Sequence, residues 1–214
     1  MDVRPQEMAP REFYRLLIAS VVPRPIAWVS TIDQQGVPNL APFSFFNALC
    51  GTPPLLAFCP GIRAKELREA RGTGVKDTLR NVRETGEFVV NVVPRSLAEQ
   101  MNLTAGEYEA SVDEFDVAGL TKRPSRLVRA PQVAESPVSF ECTVVQILDF
   151  GTEKAGASLV IGEIACVHLA EEVLRDGRID GQLLDLVGRM GGNQYCTTRE
   201  RFEMERPGLT PPGK

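Results

Sequence analysis

The sequence predicts a mainly β chain with inserted helices, folded as an antiparallel barrel and not as an alternating, doubly wound sheet. Three observations point there. Six or seven stretches read as strands, and most succeed one another through hairpin turns instead of helical crossovers. Two of them, PVSFECTVVQILDFG (Pro137–Gly151) and ASLVIGEIACVHLAEEV (Ala157–Val173), are long, rich in β-branched residues and roughly alternating. The stretches with helical spacing fall between strand pairs, as decorations of a barrel would.

Taken in order, REFYRLLIAS (Arg11–Ser20) places Phe13, Leu16, Leu17 and Ser20 at helical spacing. Pro23 and Pro25 forbid its continuation, and RPIAWVSTI (Arg24–Ile32) reads as a strand. DQQG (Asp33–Gly36) is a turn in which glycine supplies a positive φ, and VPNLAPFSFF (Val37–Phe46) returns as the second arm. Across this turn Ser30 and Asn39 fall at comparable distances. LLAFCPG (Leu55–Gly61) is a short buried strand. KDTLRNVRETGE (Lys76–Glu87) is a helix with Asp77 or Thr78 near its start and Gly86 just past its end.

FVVNVVP (Phe88–Pro94) is a buried strand stopped by proline, and SLAEQMNLTA (Ser96–Ala105) is a further helix. Residues 106–130 have mixed charge and few apolar runs, which predicts an exposed excursion. GTEKAG (Gly151–Gly156) turns the two long strands into a hairpin. GQLLDLVG (Gly181–Gly188) reads as a brief helix and GRMGGNQY (Gly188–Tyr195) as a glycine-rich loop. No repeat or low-complexity block divides the chain, so one domain over residues 1–205 is expected, followed by a loose tail, 206–214.

Composition narrows the function. Of 214 residues, 43% are hydrophobic and 24% charged, as in ordinary globular domains. The net charge of −4 and the lack of a Lys/Arg run argue against a nucleic-acid partner. No window reaches the length needed to span a bilayer, and MDVRPQEMAPREF is too charged for a signal peptide. A cytoplasmic location with no membrane partner is expected. The five cysteines form no CxxC pair, which fits reduced thiols, and the single histidine, His168, leaves no material for a His-based triad or a multi-histidine metal site. No metal and no catalytic acid or base is assigned to any side chain.

Several positions nevertheless combine residue types suited to a ligand. Trp28, Ser30 and Thr31 on the first strand and Asn39, Ser44 and Asn47 on or after the second place small polar groups at one edge of an apolar sheet. This suits a flat cofactor, and equally the solvent face of an ordinary hairpin. Phe43, Phe45 and Phe46 serve as core or as pocket wall. Lys76, Asp77 and Thr78 at a helix start suit one phosphate or simple capping. Arg189, in RMGG, either reaches a ligand or closes a turn.

RPIAWVST, then GVPNLAPFSFFNALC, PPLLAFCPG and KDTLRNVRETGEFVVNVV occur in the order and spacing of a known family. In these motifs the chain resembles the flavin reductase-like FMN-binding split-barrel proteins, in detail from Arg24 to Val93 and more loosely as far as GRMGGNQY. The resemblance implies a six-stranded split barrel, non-covalent FMN in preference to FAD, and a homodimer with the flavin near the subunit interface. It places Trp28, Val29, Ser30 and Thr31 beside the flavin, and Ala41, Pro42, Phe43, Ser44, Phe45 and Phe46 around the isoalloxazine. Cys59, Pro60 and Gly61 would close one side, and Lys76, Asp77 and Thr78 would meet the ribityl phosphate. It further implies an oxidoreductase passing electrons from NAD(P)H as co-substrate, through FMN, to a redox partner or small-molecule acceptor. The alternative is a bound-FMN electron carrier with little NAD(P)H turnover. Several flavin reductases that serve monooxygenases carry a histidine near the C-terminus, and this chain has none there.

Overall fold

The computed structural model describes residues 2–63, 69, 73–151 and 156–206. Helix α1 (Pro10–Ser20) begins with proline at its first turn, where a missing N–H costs nothing. Strands β1 (Ala27–Ile32) and β2 (Pro38–Phe43) form the expected hairpin, with Gly36 at φ 90° in its turn. β3 (Phe46–Gly51) and β4 (Pro54–Phe58) form a second hairpin. Helix α2 (Asp77–Thr85) ends at Gly86, which takes the left-handed conformation at φ 72° that closes a helix cheaply in glycine. β5 (Glu87–Asn91) follows, then α3 (Ala98–Leu103) and α4 (Glu114–Val117). The two-residue ribbon β6 (Lys122–Arg123) and β7 (Gln132–Val133) precedes the long strands β8 (Val138–Phe150) and β9 (Ala157–Leu169). A small ribbon of β10 (Leu174–Arg175) and β11 (Arg178–Ile179), helix α5 (Gly181–Leu184), and the pair β12 (Val187–Arg189) and β13 (Tyr195–Thr197) complete the described chain.

The main sheet has seven strands in the order β2-β1-β5-β8-β9-β4-β3, antiparallel throughout. Its two edges, β2 and β3, are consecutive in the chain and joined only by Ser44 and Phe45. The sheet must therefore curl until its edges almost meet, which makes it a barrel split along one seam. The strand beyond the expected six is β3, read from sequence as the end of the second arm. The backbone N–H of Cys59 donates to Phe45 O at 2.8 Å, turning the chain there so that pairing restarts against β4. The exposure of Asn47, Ala48, Leu49 and Cys50 left no alternation to announce the new strand.

Inside the barrel, Val29, Phe43, Leu56, Phe58, Phe88 and Val160 pack around Leu79 and Val82 of α2. The rings of Phe43 and Phe58 lie 5.3 Å apart, and those of Phe58 and Phe88 5.2 Å apart. A second core forms on the outer face of the same strands, from Trp28, Leu40, Val93, Met101, Phe115 and Leu120. Residues 106–130 thus do not form an exposed excursion. Phe115, Ala118, Leu120, Val128 and Ala130 are buried, and α4 packs on β2. The reason lies in β1, which is buried on both faces and needs a cover on each.

The hairpin register is one residue off the equal-distance reading: Thr31 faces Asn39, and Ser30 faces Leu40. α1 buries no residue fully, leaving Leu16 and Ser20 exposed while Phe13, Leu17 and Ile18 are half-buried. Residues 152–155 of the predicted GTEKAG turn, and 207–214 of the predicted tail, lie outside the described residues.

Candidate functional site

Two clefts adjoin where the barrel seam meets α1 and the start of α2. The larger, about 550 Å³, is mostly apolar, with Pro42, Phe43, Ser44 and Phe45 on one wall and Cys59, Gly61 and Ile62 on another. Ala9, Pro10, Arg11 and Tyr14 from α1 and the residues before it form its outer side. The smaller, about 370 Å³, is polar, and its lining includes Asn39, Lys76, Thr78, Thr104, Glu114 and Arg189. Tyr14, Pro42 and Lys76 line both.

The apolar cleft exists because the chain leaves the sheet at Ser44. Phe43 still points into the barrel core, yet one side of it reaches the cleft, and Lys76 Nζ lies 6.0 Å from its ring centre. Phe45 lies between Tyr14, 6.4 Å away, and the Arg24 guanidinium at 5.9 Å. Phe46 sits behind it in a neighbouring hollow with Leu17 and Val21. The Ser44 hydroxyl has no hydrogen-bond partner among the described residues. Burial pushes the Cys59 thiol up from its ordinary value, so it lines the wall as a neutral group.

α2 is aimed at the junction by a polar seam. Asn39 Nδ2 donates to Thr78 Oγ1 at 3.0 Å, and Asn81 Nδ2 donates to Thr31 Oγ1 at 3.1 Å. The paired residues Thr31 and Asn39 thus grip one face of the helix, one turn apart. No side chain caps its start at Lys76, and Lys76, Asp77 and Thr78 line the polar cleft. Asp77 instead pairs with Arg63 and Arg80. Lys76 Nζ is 3.6 Å from Glu107 Oε1.

Of the residues read from the sequence as cofactor contacts, Pro42, Phe43, Ser44, Phe45, Cys59, Gly61 and Lys76 line the apolar cleft. Ala41, Asp77, Thr78 and Arg189 line the polar one. Pro60 is buried beside a third hollow behind Gly61. Trp28, Val29, Ser30 and Thr31 line neither cleft and are wholly buried. Trp28 Nε1 donates to Thr104 Oγ1 at 2.8 Å, Ser30 donates to Pro131 O, and Val29 packs inside the barrel. The β2 residues paired with β1, Asn39, Ala41, Pro42 and Phe43, line the clefts instead.

Sequence reasoning missed the wall from α1 and missed Glu114. Arg24 holds α1 in place by donating to Ile18 O and Val21 O at 2.6 Å each and to Met190 O at 2.9 Å. That cation at the C-terminal end of the helix interacts favourably with the negative end of the macrodipole. An arginine four residues past the end of the helix was the only available signal. Glu114 sits on a four-residue helix inside the stretch read as exposed, and nothing in the sequence marked it.

The flavin reductase like domain matches residues 19–191. The chain belongs to the flavin reductase-like family. A protein from Halalkalibacterium halodurans is 39% identical over 212 residues, 98% of each chain. Among solved structures, nitrilotriacetate monooxygenase component B from Bacillus cereus is 32% identical, with a TM-score of 0.87 over 95% of this chain and 98% of that one. The 2-nitrobenzoate 2-nitroreductase NbaA of Pseudomonas fluorescens is 30% identical, with a TM-score of 0.84 over 99% and 98%. The family and the curled sheet agree: this flavin reductase-like chain is a split barrel. Among the described residues, no helix is long and apolar enough to cross a membrane.

Proposed function

We propose that this chain is an FMN-dependent oxidoreductase of the flavin reductase type, which passes hydride or electrons from NAD(P)H through FMN to a small molecule or a redox partner. The observation that carries the reading is the pair of adjoining clefts of opposite polarity. FMN is a flat, largely apolar ring joined to a polyol phosphate, and each half matches one cleft. Pro42, Phe43 and Phe45 would flank the ring, and the unpartnered Ser44 hydroxyl would meet its polar edge. The uncapped start of α2 and Lys76 would hold the phosphate, since backbone N–H groups and a cation favour a dianion.

Bound FMN would supply the redox chemistry itself. The protein's part is to bind, orient and shield, which agrees with the absence of histidine from the residues lining either cleft. The same absence favours a second reading, a bound-FMN carrier that turns over NAD(P)H slowly. A homodimer is proposed on the strength of Val145, Leu148, Phe150, Val167 and Leu169, all exposed on β8 and β9.

Reconstitution with FMN, followed by anaerobic mixing with NADH or NADPH, tests both readings. Rapid bleaching of the flavin band is the expected result; bound but unbleached flavin leaves the carrier, and no binding removes both. Lys76→Ala should weaken FMN about tenfold or more while sparing riboflavin, because a charge-assisted hydrogen bond is worth roughly 1.5–3 kcal/mol. Equal loss for the two ligands would show that the phosphate lies elsewhere. Thr78 is unsuited to this test, because its hydroxyl docks α2 to Asn39.

A further inference from the structure

We infer that Glu141, Cys166 and His168 form a binding site for one divalent transition-metal ion of the zinc type, on the face of β8 and β9 that turns toward residues 126–128. None of the three lines either cleft, so the site is separate from the proposed flavin site and does not depend on it.

A bulge builds the cluster. Along β9, Val160 and Ile164 pack into the barrel, and Gly162 lies against Phe88. Unbroken alternation would send Cys166 and His168 the same way. Instead Cys142 pairs with Ile164 and Glu141 with Cys166, so Ala165 is an extra residue in β9. Such an insertion re-aims the side chains that follow it. It brings Cys166 and His168 to the side of Glu141, where one donor atom from each of the three lies within 4.8 Å of the others.

The donor set is soft to borderline: a thiolate sulfur, an imidazole nitrogen and one carboxylate oxygen. Zinc takes all three types, at about 2.0–2.3 Å, whereas magnesium and calcium call for oxygen. Tetrahedral bonds of that length set ligands roughly 3.3–3.7 Å apart, close to the spacing present. Glu141 is wholly buried and fixed by the backbone N–H groups of Arg126, Leu127 and Val128. It is therefore the rigid member. His168 Nε2 lies 2.5 Å from Glu141 Oε1, and His168 is half-buried, so a turn of its ring opens room for the ion. The Cys166 thiol is half-buried too and has no hydrogen-bond partner among the described residues. Three protein ligands leave the fourth position to water.

The probe is Co²⁺, titrated into the chelator-treated full chain under reducing conditions, with Zn²⁺ as competitor. A thiolate ligand gives Co²⁺ an intense ultraviolet charge-transfer band that nitrogen and oxygen ligands do not. The band should saturate at one ion per chain and disappear when Zn²⁺ is added, and Mg²⁺ should leave it unchanged. Cys166→Ser should abolish it. His168→Gln should keep it but weaken the ion by at least about tenfold, since even outer partners of a metal ligand are worth 10–100-fold. Cys50→Ser, which removes an exposed thiol, should change nothing. Absence of the band in the wild type, its survival in Cys166→Ser, or undiminished affinity in His168→Gln overturns the inference. The first of these is read on the wild type, so the inference can fail even where a variant does not fold.

Discussion

Individual side chains here are set by what surrounds them more than by what they are. Glu114 shows this for charge. Its carboxyl is raised from 4.5 to about 7, so the folded state holds a proton that the unfolded chain has released. For such a group the folded state loses stability as pH rises through the interval between the two values, and the penalty is complete above the folded pKa. The expected outcome for Glu114→Gln is a protein that is more stable than the wild type at pH 8 and similar to it at pH 4. The difference should be on the order of 3 kcal/mol at most, opening between about pH 4.5 and 7. Urea denaturation at several pH values measures it, and a variant less stable at pH 8 would show that the carboxylate is compensated by a contact other than Leu40. Glu141 illustrates the opposite case. It is equally buried, yet it accepts from the backbone N–H groups of Arg126, Leu127 and Val128 and lies 2.5 Å from His168 Nε2. Those donors and His168 hold its carboxyl below the usual value against the cost of burial. The single histidine of the chain thus pairs with the carboxylate that holds residues 126–128.

Among the elements, β9 carries a tight constraint against buried side chains. A Cβ on Gly162 would come within 2.4 Å of the Phe88 ring and 3.3 Å of Cys142 Cβ. Phe88 has nowhere to retreat, since Phe58 lies against it in a T-shaped contact and both are wholly buried. Gly162→Ala is expected to cost about 1–3 kcal/mol by overpacking, read as a lowered midpoint in thermal or denaturant unfolding with the fold retained. An unchanged midpoint would mean that the barrel core repacks freely. The same elements show what sequence made legible. Hairpins, the α2 stop at Gly86 and the two long strands were readable because period, turn chemistry and capping all agree there. β3 was not, because its side chains are exposed and its start is set by the Cys59–Phe45 hydrogen bond, a contact between segments. Residues 106–130 were misread for a related reason. Phe115, Leu120 and Val128 are scattered among charges, and only the two-faced burial of β1 and β2 reveals that a cover is required. For the clefts, motif order marked the residues around Ser44 and Lys76. It also marked Trp28, Val29, Ser30 and Thr31, whose side chains the core and the seam to α2 absorb.

At the level of the whole molecule, the seam of the barrel is both the place for a ligand and a weakness. The edges at β2 and β3 leave strand groups unpaired, and the large cleft opens beside them, covered by an α1 that buries nothing fully. Phe150, 59% exposed, and Val145, 54% exposed, leave apolar surface on the longest strands of the same sheet. Dimerisation through β8 and β9 would bury that surface and rigidify the strands that carry the Ala157 and Gly156 side of the cleft. Paired substitution of Val145→Glu and Val167→Glu places like charges on that surface, where desolvating them on association is unfavourable. Sedimentation velocity is expected to show the wild type at twice the chain mass and the double variant at the chain mass. Circular dichroism should be unchanged, because neither side chain is buried within the chain. The variant should also bind FMN more weakly, if the partner stiffens the cleft wall. A wild type that sediments as a monomer removes the dimer from the proposal, and a monomeric variant with undiminished FMN affinity shows instead that one chain completes the site by itself.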